Sequence, residues 1–251
     1  MWYKAVFVAI CVCMSQAGKP LPPYIKPCSR FDPNINQCAL EHGKEAIPHL
    51  VKGDPAYKIP PLDPFDIKEV KIIDDGPSAA SISVTLTDSK IYGIRNIRME
   101  KAEINLDQQH HRFELSVPLV QIIGQYEMSG RILLLPIAGK GNINLTLDHV
   151  YVVYNQYWKL AARDGETYMK RHNTTATATP ENVHIHITNL FNGNKLLGDQ
   201  MNIFLNENWK DAFKELSPTI FRAFSEVINS LVHALMAVIP FDNIYPEKVP
   251  S

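Results

Sequence analysis

Most of the sequence features that identify an enzyme or a nucleic-acid-binding protein are missing from this chain of 251 residues. It has no G-x-S-x-G nucleophile turn, no H-E-x-x-H zinc motif and no P-loop. Gly139 and Gly141 begin a G-x-G pattern, but Asn144 stands where a dinucleotide-binding loop has its third glycine. The formal net charge is −1, without a basic excess for nucleic acid or an anionic membrane. We therefore expect neither catalysis nor a cofactor, a metal ion or a nucleic-acid partner.

A hydrophobic run long enough to span a bilayer is missing as well. The apolar run from Ala5 to Met14 is too short, because a transmembrane helix needs about 20 apolar residues. Lys4 precedes this run, and small residues at Ser15 and Ala17 follow it, which is typical of a signal peptide. We expect residues 1–17 to be removed, residues 18–251 to form a single ligand-binding domain, and the protein to be secreted as a monomer without stable membrane insertion.

Cysteine is scarce, and after the signal peptide only Cys28 and Cys38 remain. In an oxidising compartment, this pair predicts one disulfide that closes a short loop, with a stabilisation of roughly 2.5–3 kcal/mol. A metal site is the alternative, but it would need further ligands beside His42. The sequons at Asn144 and Asn173 predict glycosylation on the solvent-exposed surface.

The middle and the end of the chain have different hydrophobic periods. From about 66 to 192 apolar and polar residues alternate, as in Phe113, Leu115, Val117 and Leu119, which predicts antiparallel strands with one buried face. Residues 35–51 predict a short helix that Pro48 ends. Residues 207–239 predict a helix of roughly 50 Å, capped by Asn206 or Asn208, kinked or split at Pro218 and ended by Pro240. The fold class is therefore α+β, with a strongly curved antiparallel sheet wrapped around a long C-terminal helix.

Four segments carry a resemblance to a known family. They are PYIKPC with Cys38, IPPLDP at 59–64, YEMSGRILLLPIAGKG at 126–141, and the segment from Leu190 to Trp209. In this order they resemble the insect takeout and juvenile-hormone-binding proteins, over nearly the whole mature chain. The chain lacks the cysteines for the second disulfide of the hormone carriers, so it is more similar to the takeout branch.

The resemblance implies a tubular lipid-binding fold with an internal hydrophobic tunnel, and secretion into haemolymph or another extracellular fluid. The tunnel would hold an elongated hydrophobic small molecule such as a terpenoid or a fatty acid. We expect apolar strand and helix residues to line it: Phe113, Leu115, Val117, Ile132, Leu134, Val152, Tyr154, Phe213, Ile220, Phe224, Val227, Leu231 and Leu235. Tyr126 and Trp209 are candidates for a polar contact at a tunnel end, with ordinary core packing as the alternative.

A metal site at the histidines and two functions other than a carrier are weaker hypotheses. His184 and His186 share one strand face, as a zinc pair would, but two ligands do not make a site and a solvated face explains them better. His110 and His111 lie in a polar segment and are also expected to be solvated. The alternatives to a carrier are an extracellular signalling or recognition protein that acts through its outer surface, and a hydrolase of lipophilic esters.

Overall fold

The computed structural model describes residues 18–74, 81–133 and 135–249, without the side chains at positions 74, 81, 219–227, 230 and 231. The expected signal peptide, residues 1–17, lies outside the described residues. The elements in chain order are α1 (Ile35–Lys52), β1 (Phe65–Asp74), β2 (Ser81–Tyr92), β3 (Arg98–Asn105), β4 (His110–Ile132), β5 (Leu135–Arg163), β6 (Glu166–Thr179), β7 (Asn182–Ile187), α2 (Lys195–Glu207), α3 (Trp209–Met236) and α4 (Phe241–Ile244).

One antiparallel sheet curves around α3. The strand order is β1-β2-β4-β5-β6, with β3 also paired to β4 and β7 also paired to β5. Helix α3 contacts both β1 and β6, which are the two ends of this order, so the sheet must wrap around the helix. Strands β4 and β5 are 23 and 29 residues long, and twisted strands of this length cannot form a flat sheet. The predicted α+β architecture is confirmed.

In the middle of β4 and of β5, the alternation of inward and outward side chains shifts by one residue. Val117 pairs with Val150 and Leu119 with Asp148, whereas Pro118 and His149 between them do not pair. Proline has no N–H for the ladder, and His149 has a positive φ of 46°. Leu119, which strict alternation places inside, is therefore 47% exposed. Inward positions on β4 change at this point from odd to even residue numbers.

The helices differ from the sequence-based expectation at three points. Pro48 lies inside α1, which continues to Lys52, because packing against β3 compensates for the lost hydrogen bond. Pro218 likewise lies within one continuous α3 of 28 residues, roughly 42 Å, so the predicted split is wrong. The helix ends at Met236, before Pro240, and Asn208 stands at its N-cap position without a side-chain capping bond.

Helix α2 was not predicted, and two asparagines attach it to the edge of β7. Asn202 accepts a hydrogen bond from Ile187 N and donates one to Ile187 O, both at 2.8 Å. Asn206 does the same with Ile185, at 2.9 and 2.7 Å, instead of capping a helix. Four residues of helix rise about 6 Å, close to two residues of strand, so the two amides match alternate strand positions.

The N-terminal segment is tied to the rest of the chain by covalent and polar contacts. Cys28 and Cys38 form the predicted disulfide, with a Cα–Cα distance of 6.0 Å. Asp63 of the proline-rich connector has a side chain only 1% exposed, and it accepts hydrogen bonds from Gly93 N and from the backbone and side chain of Arg95. The Arg95 guanidinium lowers the pKa of the Asp63 carboxyl.

Candidate functional site

An apolar cavity of about 310 Å³ lies between the curved sheet and α3. Apart from Thr177, the described residues that line it are apolar. The strands contribute Ile72, Ile82, Val84, Leu86, Ile91, Val120, Ile122, Met128, Ile132, Ile143, Leu145, Leu147, Val150, Val152, Ala176, Thr177, Ala178, Val183, Ile185 and Ile187. The helices contribute Leu205, Trp209, Ala212, Phe213, Leu216 and Ile228. The volume lies at the lower end of the range of about 300–1,000 Å³ for small-molecule pockets.

The cavity is elongated along α3. Its lining residues on this helix run from Trp209 to Ile228, a distance of roughly 28 Å along the axis. At one end are Ile72, Ile82 and Ile132, where β1, β2 and β4 approach their termini. The shape suits a long, narrow molecule better than a compact one.

Four of the residues that the sequence suggested line the cavity, namely Ile132, Val152, Trp209 and Phe213. The others lie elsewhere or are not described. Val117 is buried beside the cavity with Val150, Phe113 packs near Trp158, Leu235 packs near Ile239, and Leu115 is half-buried opposite Val152 on the sheet. Leu134 and the side chains of Ile220, Phe224, Val227 and Leu231 lie outside the described residues.

The phase change at Pro118 and His149 explains which lining residues sequence reasoning missed. Val120 and Ile122 lie inside although alternation from Val117 places them outside. The inward residues of β2 and β7 were visible as alternating patterns, at Ile82, Val84 and Leu86 and at Val183, Ile185 and Ile187. Periodicity identified their buried faces but gave no sign that those faces border a cavity.

Tyr126 forms a structural hydrogen bond to the segment that follows β7. Its side chain is 1% exposed, and its hydroxyl donates to Thr188 O at 2.7 Å. A Cβ at Gly139 would lie 2.7 Å from this hydroxyl, and one at Gly141 would lie 2.5 Å from Thr188 O. The tyrosine and the two glycines of the central motif thus let the segment after β7 approach β4 and β5 closely. Burial raises the pKa of Tyr126 to about 12.

A buried polar cluster lies next to the cavity, two residues beyond Val152 on β5. Tyr154 donates a hydrogen bond to Asn229 Oδ1 of α3 at 3.1 Å. Gln156 follows on the same face, and its Nε2 is 2.8 Å from Met236 Sδ. Burial raises the pKa of Tyr154 to about 12, so its hydroxyl is a neutral donor.

His111 belongs to this cluster, which corrects the expectation that it is solvated. It is 2% exposed, and its Nε2 lies 3.1 Å from the Tyr245 hydroxyl. Burial lowers the pKa of His111 to about 4, so the imidazole is neutral at physiological pH. Its ring packs against Trp158, whose shielded indole N–H lacks a hydrogen-bond partner among the described residues. The sequence contained a signal for this burial. On β4, His111 has an odd residue number, as Phe113 and Val117 do, so the three side chains lie on the same face of the strand.

An acidic side chain of α3 contacts the turn between β4 and β5. Glu215 is half-buried on α3, between the lining residues Ala212 and Leu216. Its Oε2 accepts a hydrogen bond from Leu133 N, directly after the lining residue Ile132, at 3.2 Å. Its Oε1 is shielded from solvent and lacks a hydrogen-bond partner in the described part of the chain.

The candidate metal ligands lie in two places. His184 and His186 are exposed on β7, as expected of a solvated strand face. Cys28, Cys38 and His42 lie close enough for a metal site, but the two sulfurs are joined in the disulfide, with His42 Nδ1 at 3.5 Å from each. Zinc prefers thiolate sulfur, so these residues do not fit an ion while the disulfide is intact.

Two surface observations complete the description. Asn173 is exposed on β6, and Asn144 lies half-buried on the outer face of β5, where its Oδ1 accepts a hydrogen bond from Gln121. Within the described ranges, no helix is long and apolar enough to cross a bilayer.

A single antiparallel sheet wrapped around one long helix, with an apolar cavity between them, defines the tubular lipid-binding class of fold. The chain belongs to the haemolymph juvenile hormone binding protein family, whose model matches residues 6–246. This confirms the resemblance that the four sequence segments carry.

Named relatives and a solved structure agree with this assignment. The chain is 25% identical over 243 residues to the circadian clock-controlled protein daywake of Drosophila melanogaster, covering 94% of this chain and 92% of that protein. It is 22% identical over 236 residues to daywake of Drosophila yakuba, covering 91% and 90%. The crystal structure of Epiphyas postvittana Takeout 1 superposes with a TM-score of 0.76 at 25% identity, covering 88% of this chain and all of that one.

Proposed function

We propose that the protein is a secreted carrier that binds an elongated hydrophobic small molecule in the cavity between the sheet and α3. The observation that carries this proposal is that the described side chains lining the cavity are apolar, with Thr177 as the exception. An apolar chain transferred from water into such a lining gains about 25 cal/mol per Å² of buried surface. Binding would sequester the ligand from water and from adsorption to other surfaces, without chemical change.

The residues that line the cavity favour binding over catalysis. Nucleophilic or acid–base catalysis needs at least two polar groups within hydrogen-bond reach of each other and of the substrate. Among the lining side chains that the structure describes, Thr177 alone has a hydroxyl, and none has an imidazole, a thiol or a carboxylate. The family membership supports the same choice, because the family is described as hormone-binding.

Secretion is the second part of the proposal. The disulfide between Cys28 and Cys38 is stable in an oxidising compartment, and a signal peptide over residues 1–17 would deliver the chain there. Asn173 and Asn144 lie on the outer face of the sheet, so glycans at either position would point away from the cavity.

The test is stoichiometric binding of an apolar probe, together with identification of the natural ligand. Purified protein should take up the fluorescent probe N-phenylnaphthylamine, and organic extraction followed by mass spectrometry should yield a hydrophobic molecule. Val152→Phe places a larger ring in the cavity and should weaken probe binding about tenfold or more. Val153→Phe, on the outer side of the same strand, is the matched control and should bind as the unmodified protein does.

Two results would contradict the proposal. One is a folded protein that neither contains an extractable lipid nor takes up the probe. The other is equal loss of probe binding in Val152→Phe and Val153→Phe, since that would locate the probe outside the cavity.

A further inference from the structure

The cavity reaches the backbone of β6, the strand at one end of the sheet. Ala176, Thr177 and Ala178 all line it, although they are consecutive residues of this strand. Side chains alternate between the two faces of a strand, so three consecutive residues cannot all point inward. The middle one, Thr177, lies opposite Val153, and its side chain is exposed on the outer face. Thr177 therefore borders the cavity through its backbone.

The two alanines explain why the cavity extends as far as this backbone. Ala178 lies opposite Val152, which also lines the cavity, so its side chain points inward. Ala176 lies opposite Tyr154, whose hydroxyl bonds to α3, so it points inward as well. The side chain at both positions is a single methyl group, which leaves space between the strand and the helix.

The other strands present larger side chains to the cavity. Among the described lining residues, those of β1, β2, β4, β5 and β7 are isoleucine, leucine, valine or methionine. Alanine has three side-chain carbons fewer than leucine, so two inward alanines leave room for about six carbons, the size of a six-membered ring. We call this widening at Ala176, Thr177 and Ala178 the β6 recess.

The β6 recess lies at one end of the elongated cavity. Ile228 is the last residue of α3 in the described lining, and it directly precedes Asn229. The Asn229 side chain accepts the hydrogen bond from the Tyr154 hydroxyl, which places this part of α3 beside the recess. The isoleucines Ile72 and Ile132 lie at the opposite end. A ligand that extends along α3 would therefore have its wider end at β6.

We propose that the β6 recess binds a six-membered apolar ring at one end of the ligand, while a straight chain extends along α3 towards Ile72. This inference rests on the proposed carrier function and adds the shape class of the ligand, a linear chain with a terminal ring. A ring against the two alanines fills the recess, whereas a straight chain would leave part of it empty and would lose those contacts.

Two alcohols with the same number of carbons test this preference. They are 6-cyclohexylhexan-1-ol and dodecan-1-ol, and isothermal titration calorimetry measures their affinities directly. Ala178→Leu fills the recess with three further carbons, and Ala178→Val adds two further carbons in a side chain that strands favour. Thr179→Leu, exposed on the outer face of the same strand, is the matched control.

The unmodified protein and Thr179→Leu should bind the ring-ended alcohol more tightly than dodecan-1-ol. In Ala178→Leu, the ratio of the two affinities should fall about tenfold, because the new side chain occupies the place of the ring. Ala178→Val should lower this ratio in the same direction by a smaller factor.

The outcomes separate this inference from the carrier function. Equal affinities for the two alcohols in the unmodified protein, or an unchanged ratio in both Ala178 variants, would refute the ring site and leave the carrier function intact. If neither alcohol binds to the folded, unmodified protein, both the carrier function and this inference fail.

Discussion

At the scale of single residues, burial changes the chemistry of several side chains whose identity alone suggests a surface role. His111 is the clearest case, because its imidazole is enclosed by Trp158, Phe113 and Tyr245. Nearby His110 lies on the other face of β4 and stacks on Tyr157 at a centroid distance of 4.4 Å. Two adjacent histidines thus have opposite environments, as the alternation of side chains along a strand requires.

The lowered pKa of His111 predicts a pH-dependent stability. Its pKa is about 4 in the folded protein, against about 6.5 when unfolded, so the unfolded chain binds more protons between these values. Stability should therefore fall as the pH drops from 6.5 to 4, by a limit on the order of 3 kcal/mol. Urea unfolding at several pH values should show a smaller decrease in His111→Gln. Identical pH profiles for the two proteins would contradict the assignment.

At the scale of elements, the attachment of α2 to β7 depends on two asparagine side chains. Asn206→Ala removes both hydrogen bonds to Ile185. The backbone N–H and C=O of Ile185 then lack these partners. We expect the free energy of unfolding to fall by about 2–6 kcal/mol, since each of the two unsatisfied groups costs about 1–3 kcal/mol.

A matched control lies two residues further along the chain. The Asn208 side chain donates to Phe204 O at the C-terminal end of α2, so Asn208→Ala should cost less than about 1 kcal/mol. Chemical denaturation measures both variants. A loss in Asn206→Ala no larger than that in Asn208→Ala would show that the contact to the strand edge contributes little.

At the scale of the whole molecule, the two ends of the chain are joined beside the polar cluster. Lys19 N donates to Val238 O, Cys28 N to Ile244 O and Arg30 N to Pro246 O. Cys28 is buried in the same cluster as Trp158 and Phe241, so the disulfide fixes the N-terminal segment at the end of the sheet. This arrangement holds residues 19–30 and 238–246 together at the end of the sheet that contains the polar cluster.

Removal of the disulfide should destabilise the fold without altering the cavity. For Cys28→Ala combined with Cys38→Ala, we expect a loss of roughly 2.5–3 kcal/mol, because the unfolded chain gains the entropy of the opened loop. Thermal and urea unfolding measure the loss, and probe affinity at low temperature should stay within about twofold. Complete loss of probe binding in a folded double variant would show that the N-terminal segment shapes the cavity itself.

Residue spacing along the chain was enough to predict the alternating strands, the long C-terminal helix, the disulfide and, through four motifs, the family. These features depend on local spacing, which the order of residues records directly. Tertiary structure alone decided the rest. The inward face changes only because Pro118 and His149 lie at the same point of two neighbouring strands, where the pairing of β4 and β5 is interrupted. Pro48 and Pro218 lie within continuous helices, although each proline removes a helical hydrogen bond. The hydrogen bond from Leu133 N to Glu215 forms only because α3 reaches the turn after Ile132, a contact between residues 82 positions apart in sequence.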